Sequence, residues 1–328
     1  MSNDLDIFEL TDRAKRAQRA LATSTTAQRN GILLAISQAL VDHCEQILHA
    51  NAQDCQRAEK RGMASGLVDR LRLDESRIRA ISSAVLDVIA LEDPVGTVIR
   101  GGRTDDGLRV TQLRVPMGVI GMIYEARPNV TVDASILCLK AGNAVILRGG
   151  SAAQDTNETL VAVIREAIDS LGFSADLVQT VDPWGRDGAR AMMRARGGID
   201  VLIPRGGEGL IRAVVEESTV PVIETGTGNC HVYVDSGANV DAAVRIIINA
   251  KTQRVGVCNA AETLLVHRNM VLSFLPQALA ELTRLGVRIH ADAAVRECAA
   301  HVGSVDQSLI SEATEADWRT EYLSMDLA

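Results

Sequence analysis

The feature that most constrains the fold is a series of short apolar runs that alternate with helical stretches from residue 116 onward. The apolar runs occupy residues 119–124, 144–147, 177–181, 201–203, 220–223 and 232–234. The segments between and after them predict helices at 132–140, 157–170, 188–196, 209–217 and 240–251. Short apolar strands separated by helices form a parallel sheet that is covered on both faces. The sequence therefore predicts a doubly wound α/β domain, which binds ligands at the carboxyl ends of its strands.

Two flanking regions differ from this pattern. Residues 5–92 are predicted to be helical because their apolar positions recur at helical spacing, with Thr25 or Thr26 and Asp74 as suitable N-caps. Residues 97–100 and 108–115 predict two strands of a hairpin around an Asp-Asp-Gly turn. A second strand–helix series follows a loop at residues 254–260 and occupies residues 263–267, 271–285 and 287–290.

The composition limits the classes of partner. The chain of 328 residues carries 42 acidic and 34 basic residues, and this charge of −8 argues against a general binder of nucleic-acid backbone. Only three Phe, three Tyr and two Trp are present, too few to favour base stacking. No apolar run approaches the ~18 residues of a membrane span, and the acidic first residues do not resemble a signal peptide. We therefore expect a soluble cytoplasmic protein that binds neither nucleic acid nor a membrane.

One of the six cysteines has the setting of a nucleophile. Cys258 lies in a loop of small residues near Arg254 and Gly256, which allows the accessible and electropositive surroundings that a thiolate needs. A buried, inert thiol is the common alternative, and it describes the remaining cysteines well: Cys44, Cys55, Cys138, Cys230 and Cys298. No two cysteines have metal-ligand spacing and no close His pair accompanies them, so no metal site is predicted.

Two glycine-rich turns follow predicted strands and indicate phosphate binding. Each turn places a guanidinium, small residues and a helix N-terminus at the carboxyl end of a strand, a combination that suits an anion. The candidate cofactor-binding residues are Arg148, Gly149, Ser151, Arg205, Gly206 and Gly207. A solvated glycine turn explains either turn taken alone, and no G-x-G-x-x-G fingerprint follows any strand. The presence of two such turns in one sheet favours a nucleotide.

Two further polar residues follow predicted strands. Glu224 precedes a glycine-rich turn, where it is either a catalytic base or a solvated turn residue. Asn129 comes directly after Arg127 and Pro128, and its amide is either an oxyanion donor or the N-cap of the next helix. The sequence leaves the alternatives for both residues open.

Several longer motifs, taken in order, resemble a known family. Residues 115–121, 124–132, 145–151, 203–207, 228–235 and 254–260 resemble the aldehyde dehydrogenase superfamily and, within it, the γ-glutamyl phosphate reductase family. The resemblance implies an aldehyde-dehydrogenase-like fold with an NADP(H)-binding domain at residues 1–96 and 116–253. It further implies an oligomerisation hairpin at residues 97–115 and the N-terminal part of a catalytic domain at residues 254–328.

The resemblance also implies an activity. It is the NADPH-dependent reduction of L-glutamyl 5-phosphate to L-glutamate 5-semialdehyde with release of phosphate, the second step of proline biosynthesis. Cys258 is the implied nucleophile, which carries a thioester, and Asn129 is a candidate oxyanion donor. Arg148 stands where relatives place a cation near the adenosine ribose, which favours a 2′-phosphate. Candidate substrate-binding residues are Arg127, Glu224 and Asn259. No metal is required, a homo-oligomer is expected of the full-length protein, and glutamate 5-kinase is a candidate partner.

Two alternative functions stay open. Glu224 aligns with the base that activates water in hydrolytic aldehyde dehydrogenases, so a hydrolytic enzyme is the first alternative. A reductase must keep its thioester away from water, and for that reason the resemblance does not give Glu224 this role. Family members extend beyond residue 328, which makes a non-catalytic subunit the second alternative. From the same observation we expect an exposed apolar strand near residues 323–327, retained NADPH binding, weak turnover and poor solubility.

Overall fold

The protein has two compact units, Met1–Thr225 and Gly226–Ala328, in a computed structural model that describes residues 6–63, 65–224, 226 and 228–328. Unit one begins with α1 (Ile7–Ala22), α2 (Thr26–Asp42), α3 (Cys44–Lys60), α4 (Ser65–Leu71) and α5 (Glu75–Ala90). Thr25 caps α2 in a reciprocal capping box with Gln28, and Asp74 caps α5, so two of the predicted N-caps are confirmed. In the described part of the chain no helix combines the length and the apolar character that a bilayer crossing requires.

A hairpin follows these helices. Strand β1 (Val98–Arg103) pairs antiparallel with β2 (Arg109–Leu113), and every residue of both strands is exposed. The turn is closed by hydrogen bonds from the Thr104 N–H to the Leu108 carbonyl and from the Gly107 N–H to the Thr104 carbonyl, each 2.9 Å long. Gly107 has a φ of 91°, which favours glycine at this position. The predicted hairpin is confirmed.

The remainder of unit one is built on a parallel sheet. Its strands are β3 (Val119–Tyr124), β4 (Ala144–Arg148), β5 (Val178–Thr180) and β6 (Val201–Arg205), in the order β5-β4-β3-β6. The helices between and after them are α6 (Pro128–Lys140), α7 (Gln154–Asp169), α8 (Gly185–Arg194) and α9 (Glu208–Glu217). Nearly all side chains of β3 and β4 are buried, as expected of strands covered on both faces. The doubly wound fold is confirmed, and its strand order reverses between β3 and β6.

The observed sheet differs from the predicted one in two ways. Residues 220–223 do not form the predicted strand. Val222 makes an isolated parallel bridge to Leu202 instead. The predicted strand at 232–234 belongs to unit two, where β7 (Cys230–Val234) pairs parallel with β8 (Ala261–Val266) through the crossover helix α10 (Val240–Thr252). The predicted boundary at residue 253 would cut this β–α–β segment, and the chain instead divides between Thr225 and Gly226.

Unit two continues with α11 (Val271–Arg284), β9 (Arg288–Ala291), α12 (Ala293–Ala300), β10 (Ile310–Glu312) and β11 (Asp326–Leu327). Strands β10 and β11 both pair parallel with β9. The Ala328 N–H donates to the Glu262 carbonyl at 2.9 Å, and the Leu264 N–H donates to the Ala328 carbonyl at 2.8 Å. The last residues therefore lie between β9 and β8.

The expected exposed apolar strand near residues 323–327 is wrong. Leu327 is 1% exposed and Ala328 is 7% exposed. Their backbone groups bond to β9 on one side and to β8 on the other, so this segment is an inner strand of unit two and not an edge. The sequence pattern shows that the segment is apolar, but it does not show which strands flank it.

Candidate active site

Both arginine-bearing turns of unit one lie at the carboxyl edge of the sheet. Strand β3 stands between β4 and β6, and its residues Ile123 and Tyr124 pair with Arg148 and Arg205 respectively. Two strand spacings separate the arginine Cα positions laterally, about 10 Å. The strand order reverses between β3 and β6, and crevices at such reversals bind ligands in open α/β sheets. The structure thus brings the predicted turns together at the expected edge.

The glycines of these turns are closely packed against neighbouring atoms of the protein. A Cβ on Gly149 would overlap the Asn157 amide, and one on Gly150 would lie 2.6 Å from the Ala126 backbone nitrogen. A Cβ on Gly206 would lie 2.8 Å from the Glu125 side chain. At Gly150 the neighbour is backbone, so a larger residue would force the turn away from the residues that follow β3, whereas at Gly149 and Gly206 the neighbour is a side chain.

A buried polar network supports the turn after β4. The Gly149 N–H donates to Asp182 Oδ1 at 2.6 Å, and Asn157 Nδ2 donates to Asp182 Oδ2 at 3.2 Å. Asn157 Oδ1 in turn accepts from Thr131 Oγ1 at 3.0 Å, and the Thr131 hydroxyl contacts the Tyr124 hydroxyl at 2.7 Å. Burial raises the pKa of Asp182 to about 6, although its hydrogen bonds oppose the shift. Burial also raises the pKa of Tyr124.

Carboxylates of the protein already occupy the two helix N-termini that were predicted to bind phosphate. At the start of α7, Asp54 Oδ2 accepts from the Thr156 N–H at 2.8 Å and from its hydroxyl at 2.6 Å. At the start of α9, Glu125 Oε1 accepts from the Gly207 N–H at 2.7 Å. Asp54 is fully buried, whereas Glu125 is exposed and free to rotate away. Of these two helix ends, the start of α9 is the more accessible to an incoming anion.

In unit two, Cys258 lies in the loop between α10 and β8, where it is exposed. Its carbonyl accepts a hydrogen bond from the Cys230 thiol at 3.2 Å. Its backbone also packs closely on Gly228, since a Cβ there would lie 2.5 Å from the Cys258 carbonyl oxygen. The neighbouring Asn259 is exposed as well. The thiol is thus accessible on a loop whose backbone is held.

The remaining cysteines are poorer nucleophiles. Burial raises the pKa of Cys138 to about 12 and raises the pKa of Cys44, Cys55 and Cys298. A raised thiol pKa lowers the thiolate fraction near neutral pH. The Cys230 thiol donates to a carbonyl and is only partly accessible. Cys258 is the exposed thiol of the six, and its accessibility therefore favours it as the nucleophile.

The other candidate residues are all in unit one except Asn259. Asn129 is exposed in the first turn of α6, and its amide donates to Asp133 Oδ2 at 3.0 Å. The N-cap of α6 is Arg127, so the alternative reading of Asn129 as the N-cap is wrong. Arg148 Nε donates to the Gly185 carbonyl at 3.3 Å. The remaining candidates of unit one are exposed or partly exposed: Ser151, Arg205, Gly206, Gly207 and Glu224.

Sequence reasoning missed two carboxylates at the sheet edge. Glu125 directly follows β3, a position from which a side chain reaches the carboxyl edge of a parallel sheet. Asp182 follows β5 in the same way. Their positions after predicted strands were a usable signal. Within the described residues no cluster of three or more His, Cys, Asp or Glu side chains is arranged to hold a metal ion.

Comparison with known proteins agrees with this geometry. The family model described as "Aldehyde dehydrogenase family" matches residues 2–310, and the chain belongs to that family. Within it, the chain is 52% identical to a gamma-glutamyl phosphate reductase from Bifidobacterium adolescentis and 52% identical to one from Thermobifida fusca. These matches cover 98% of the chain and 76% and 75% of the respective relatives.

Solved structures give the same result. The crystal structure of gamma-glutamyl phosphate reductase from Thermotoga maritima matches with a TM-score of 0.91 and 42% identity, over 99% of this chain and 76% of that one. An acetylating aldehyde dehydrogenase from Geobacillus thermoglucosidasius matches with a TM-score of 0.64 at 19% identity, which supports the fold alone. The predicted resemblance is confirmed.

Membership of this family implies a nicotinamide cofactor. The carboxyl edge of the unit-one sheet fits such a group. It offers the guanidinium groups of Arg148 and Arg205, the exposed Ser151, and the α9 N-terminus beneath a displaceable carboxylate. Guanidinium groups, hydroxyls and helix N-termini are chemically suited to binding phosphate.

Proposed function

We propose that the protein catalyses the NADPH-dependent reduction of L-glutamyl 5-phosphate to L-glutamate 5-semialdehyde, with release of phosphate, in proline biosynthesis. The observation that carries the proposal is the exposed thiol of Cys258, on a loop whose backbone is held, in a chain about half identical to reductases of this substrate. The same chemistry is described by the name glutamate-5-semialdehyde dehydrogenase.

In this proposal the chain itself performs the acyl transfer. The Cys258 thiolate attacks the acyl carbon, and the Cys258 backbone N–H is the proposed donor to the resulting oxyanion, with the Asn129 amide kept from the sequence as the second candidate donor. Each such donor contributes about 3 kcal/mol where single donors have been removed from enzymes. The carbon–oxygen bond to phosphate then breaks, phosphate leaves with the electron pair, and the acyl group remains on the Cys258 sulfur as a thioester.

The nicotinamide, when bound, supplies the hydride that reduces an acyl group to an aldehyde. Arg148 and Arg205, with Ser151, Gly206 and Gly207, are proposed to hold its phosphates, and Arg148 is proposed to favour the 2′-phosphate of NADP. Gly149, whose N–H is bonded to Asp182, is proposed to shape the turn and not to bind phosphate itself. Arg127, Glu224 and Asn259 are proposed to bind the substrate. Glu224 is not proposed as a base for water, because a hydrolysed thioester would yield glutamate instead of the semialdehyde.

The decisive test of the nucleophile is the substitution Cys258→Ser. A serine hydroxyl is far less ionised than a thiol at neutral pH, so turnover should be abolished while NADPH binding is unchanged. NADPH binding is measured by fluorescence titration and turnover by NADPH consumption with L-glutamyl 5-phosphate. A matched Cys298→Ser variant should keep its turnover. Substantial turnover in Cys258→Ser would refute the assignment.

The reverse reaction separates the reductase from the hydrolytic alternative. NADP⁺ reduction by pyrroline-5-carboxylate is followed with and without inorganic phosphate. In this direction a phosphate oxygen must attack the thioester carbon and displace the Cys258 thiolate, so the reductase requires phosphate. A hydrolytic enzyme forms the carboxylate without phosphate and would lose this activity on Glu224→Gln. Phosphate-independent product would therefore replace the proposed function with the alternative.

Assembly and domain roles belong to the same proposal. The exposed hairpin of β1 and β2 is proposed to mediate homo-oligomerisation, unit one to bind the cofactor and unit two to contribute the nucleophile. Glutamate 5-kinase, as a source of an unstable acyl phosphate, is proposed as a partner, and the cytoplasm as the compartment. Light scattering before and after deletion of residues 98–113 tests the hairpin, and an unchanged mass would contradict its role.

A further inference from the structure

Unit two contains an ion pair that is fully buried. Lys251, near the end of α10, and Glu262, near the start of β8, have side chains that are 0% and 1% exposed. Their Nζ and Oε2 atoms are 2.9 Å apart, and Lys251 Nζ also donates to the Ala261 carbonyl at 2.8 Å. None of the proposed chemistry uses this pair directly.

The pair joins the two ends of the loop that carries Cys258. Residues 253–260 follow Thr252, the last residue of α10, and precede Ala261, the first residue of β8, so the ion pair between Lys251 and Glu262 closes the base of this loop. Glu262 Oε1 also accepts from the Leu323 N–H at 3.2 Å. Leu323 has a φ of 51°, an uncommon conformation for a residue other than glycine. One carboxylate thus connects α10, β8 and the segment before β11.

The loop is also held by residues 228–230. The Cys230 thiol donates to the Cys258 carbonyl at 3.2 Å, and the backbone at Gly228 packs against the same carbonyl. Asn229, between them, donates to the Trp318 carbonyl at 2.9 Å. The position of Cys258 is therefore fixed by contacts from residues 228–230 and by the closed base of its own loop.

We propose that Lys251 and Glu262 are positioning residues for Cys258, which fix the loop at residues 253–260 so that the thiol has one orientation. This inference rests on the proposed function of Cys258. A buried ion pair adds little stability compared with an apolar pair of the same volume. What it adds are directed hydrogen bonds to the Ala261 carbonyl and the Leu323 N–H, which apolar side chains do not make.

The test uses the double variant Lys251→Met/Glu262→Gln in the full chain. It leaves no unpaired buried charge and keeps an amide oxygen for the Leu323 N–H, so the variant should fold. We expect kcat to fall about tenfold or more, because small misplacements of reacting groups are costly, while KM stays within about twofold. The matched control is Glu281→Gln/Arg284→Met, which removes an exposed pair of α11 and should leave kcat unchanged. A kcat within about twofold of the parent value in the folded double variant would overturn the proposal.

Hydrogen exchange supplies a readout that does not depend on catalysis. In the double variant the Ala260 and Leu323 amides should exchange about tenfold faster, while the Leu264 amide, bonded to Ala328, keeps its rate. Unchanged exchange at Ala260 would also overturn the proposal. If Cys258→Ser proves active, the function of Cys258 fails, but the exchange experiment still decides whether the pair holds the loop. Should the double variant not fold, Glu262→Asp, which keeps both charges but shortens the carboxylate that reaches the Leu323 N–H, is measured in the same two ways.

Discussion

The buried carboxyl of Asp182 makes the stability of unit one depend on pH in a direction opposite to that of most acidic residues. Its folded pKa is about 6 against 3.8 for a free side chain, chiefly because burial disfavours the charged form. The unfolded chain therefore releases this proton at lower pH than the folded chain does. The stabilisation is complete below about pH 4, declines as the pH rises toward 6, and is absent above it. The pKa difference corresponds to about 3 kcal/mol.

The assay compares the parent chain with Asp182→Asn by urea unfolding between pH 4 and 8. Trp184 is adjacent to Asp182 and Trp318 is in unit two, so both proteins carry Trp318→Phe and the fluorescence reports unit one. The difference in unfolding free energy between the two proteins should change by about 3 kcal/mol across this range, in favour of the variant at high pH. An exposed control, Asp187→Asn, should show no such change. A parent–variant difference that is independent of pH would refute the reasoning.

Two further predictions follow from the sheet edge. Glu125→Gln removes a negative charge from the N-terminus of α9, so NADPH should bind about three- to tenfold more tightly. Binding is measured by fluorescence titration, and weaker binding would contradict the view that Glu125 is displaced by the cofactor. Gly150→Ala would place a Cβ 2.6 Å from the Ala126 nitrogen and should lower the free energy of unfolding by about 1–3 kcal/mol. In the matched control Gly209→Ala, the added Cβ in α9 would meet no atom within 4 Å, so this variant should be neutral or stabilising. Both glycine variants are measured by urea unfolding, and equal losses of unfolding free energy would contradict the packing argument.

The sequence allowed the edge of the sheet to be predicted because its signals are local. Arg148 and Arg205 each follow an apolar run directly, and in a parallel sheet all such positions meet at one edge. Cys258 was identified in the same way, from the small residues that surround it in the chain. The other thiols were assigned to packing from their helical or apolar surroundings, and the raised pKa of four of them agrees with that interpretation.

What could not be predicted depends on contacts between distant parts of the chain. The Glu125 carboxylate meets the Gly207 N–H across 82 residues, and Asp54 meets Thr156 across 102. No local pattern specifies either pairing, so the sequence indicates anion binding at both helix N-termini and does not reveal the carboxylates that occupy them. The same limit explains why β7 was assigned to the wrong sheet and why Leu327 was expected at an edge, since a strand's apolar pattern does not identify its neighbours.

The carboxylate of Asp54 also affects how the molecule opens. The first turn of an isolated helix frays readily, since its amide groups lack partners within the helix. The Thr156 amide at the start of α7 is instead bound to a buried side chain of α3, a helix that precedes it by about a hundred residues. This helix end therefore cannot fray without separating α3 from α7. Its amide is expected to report cooperative opening of unit one, whereas an ordinary helix end reports only local motion.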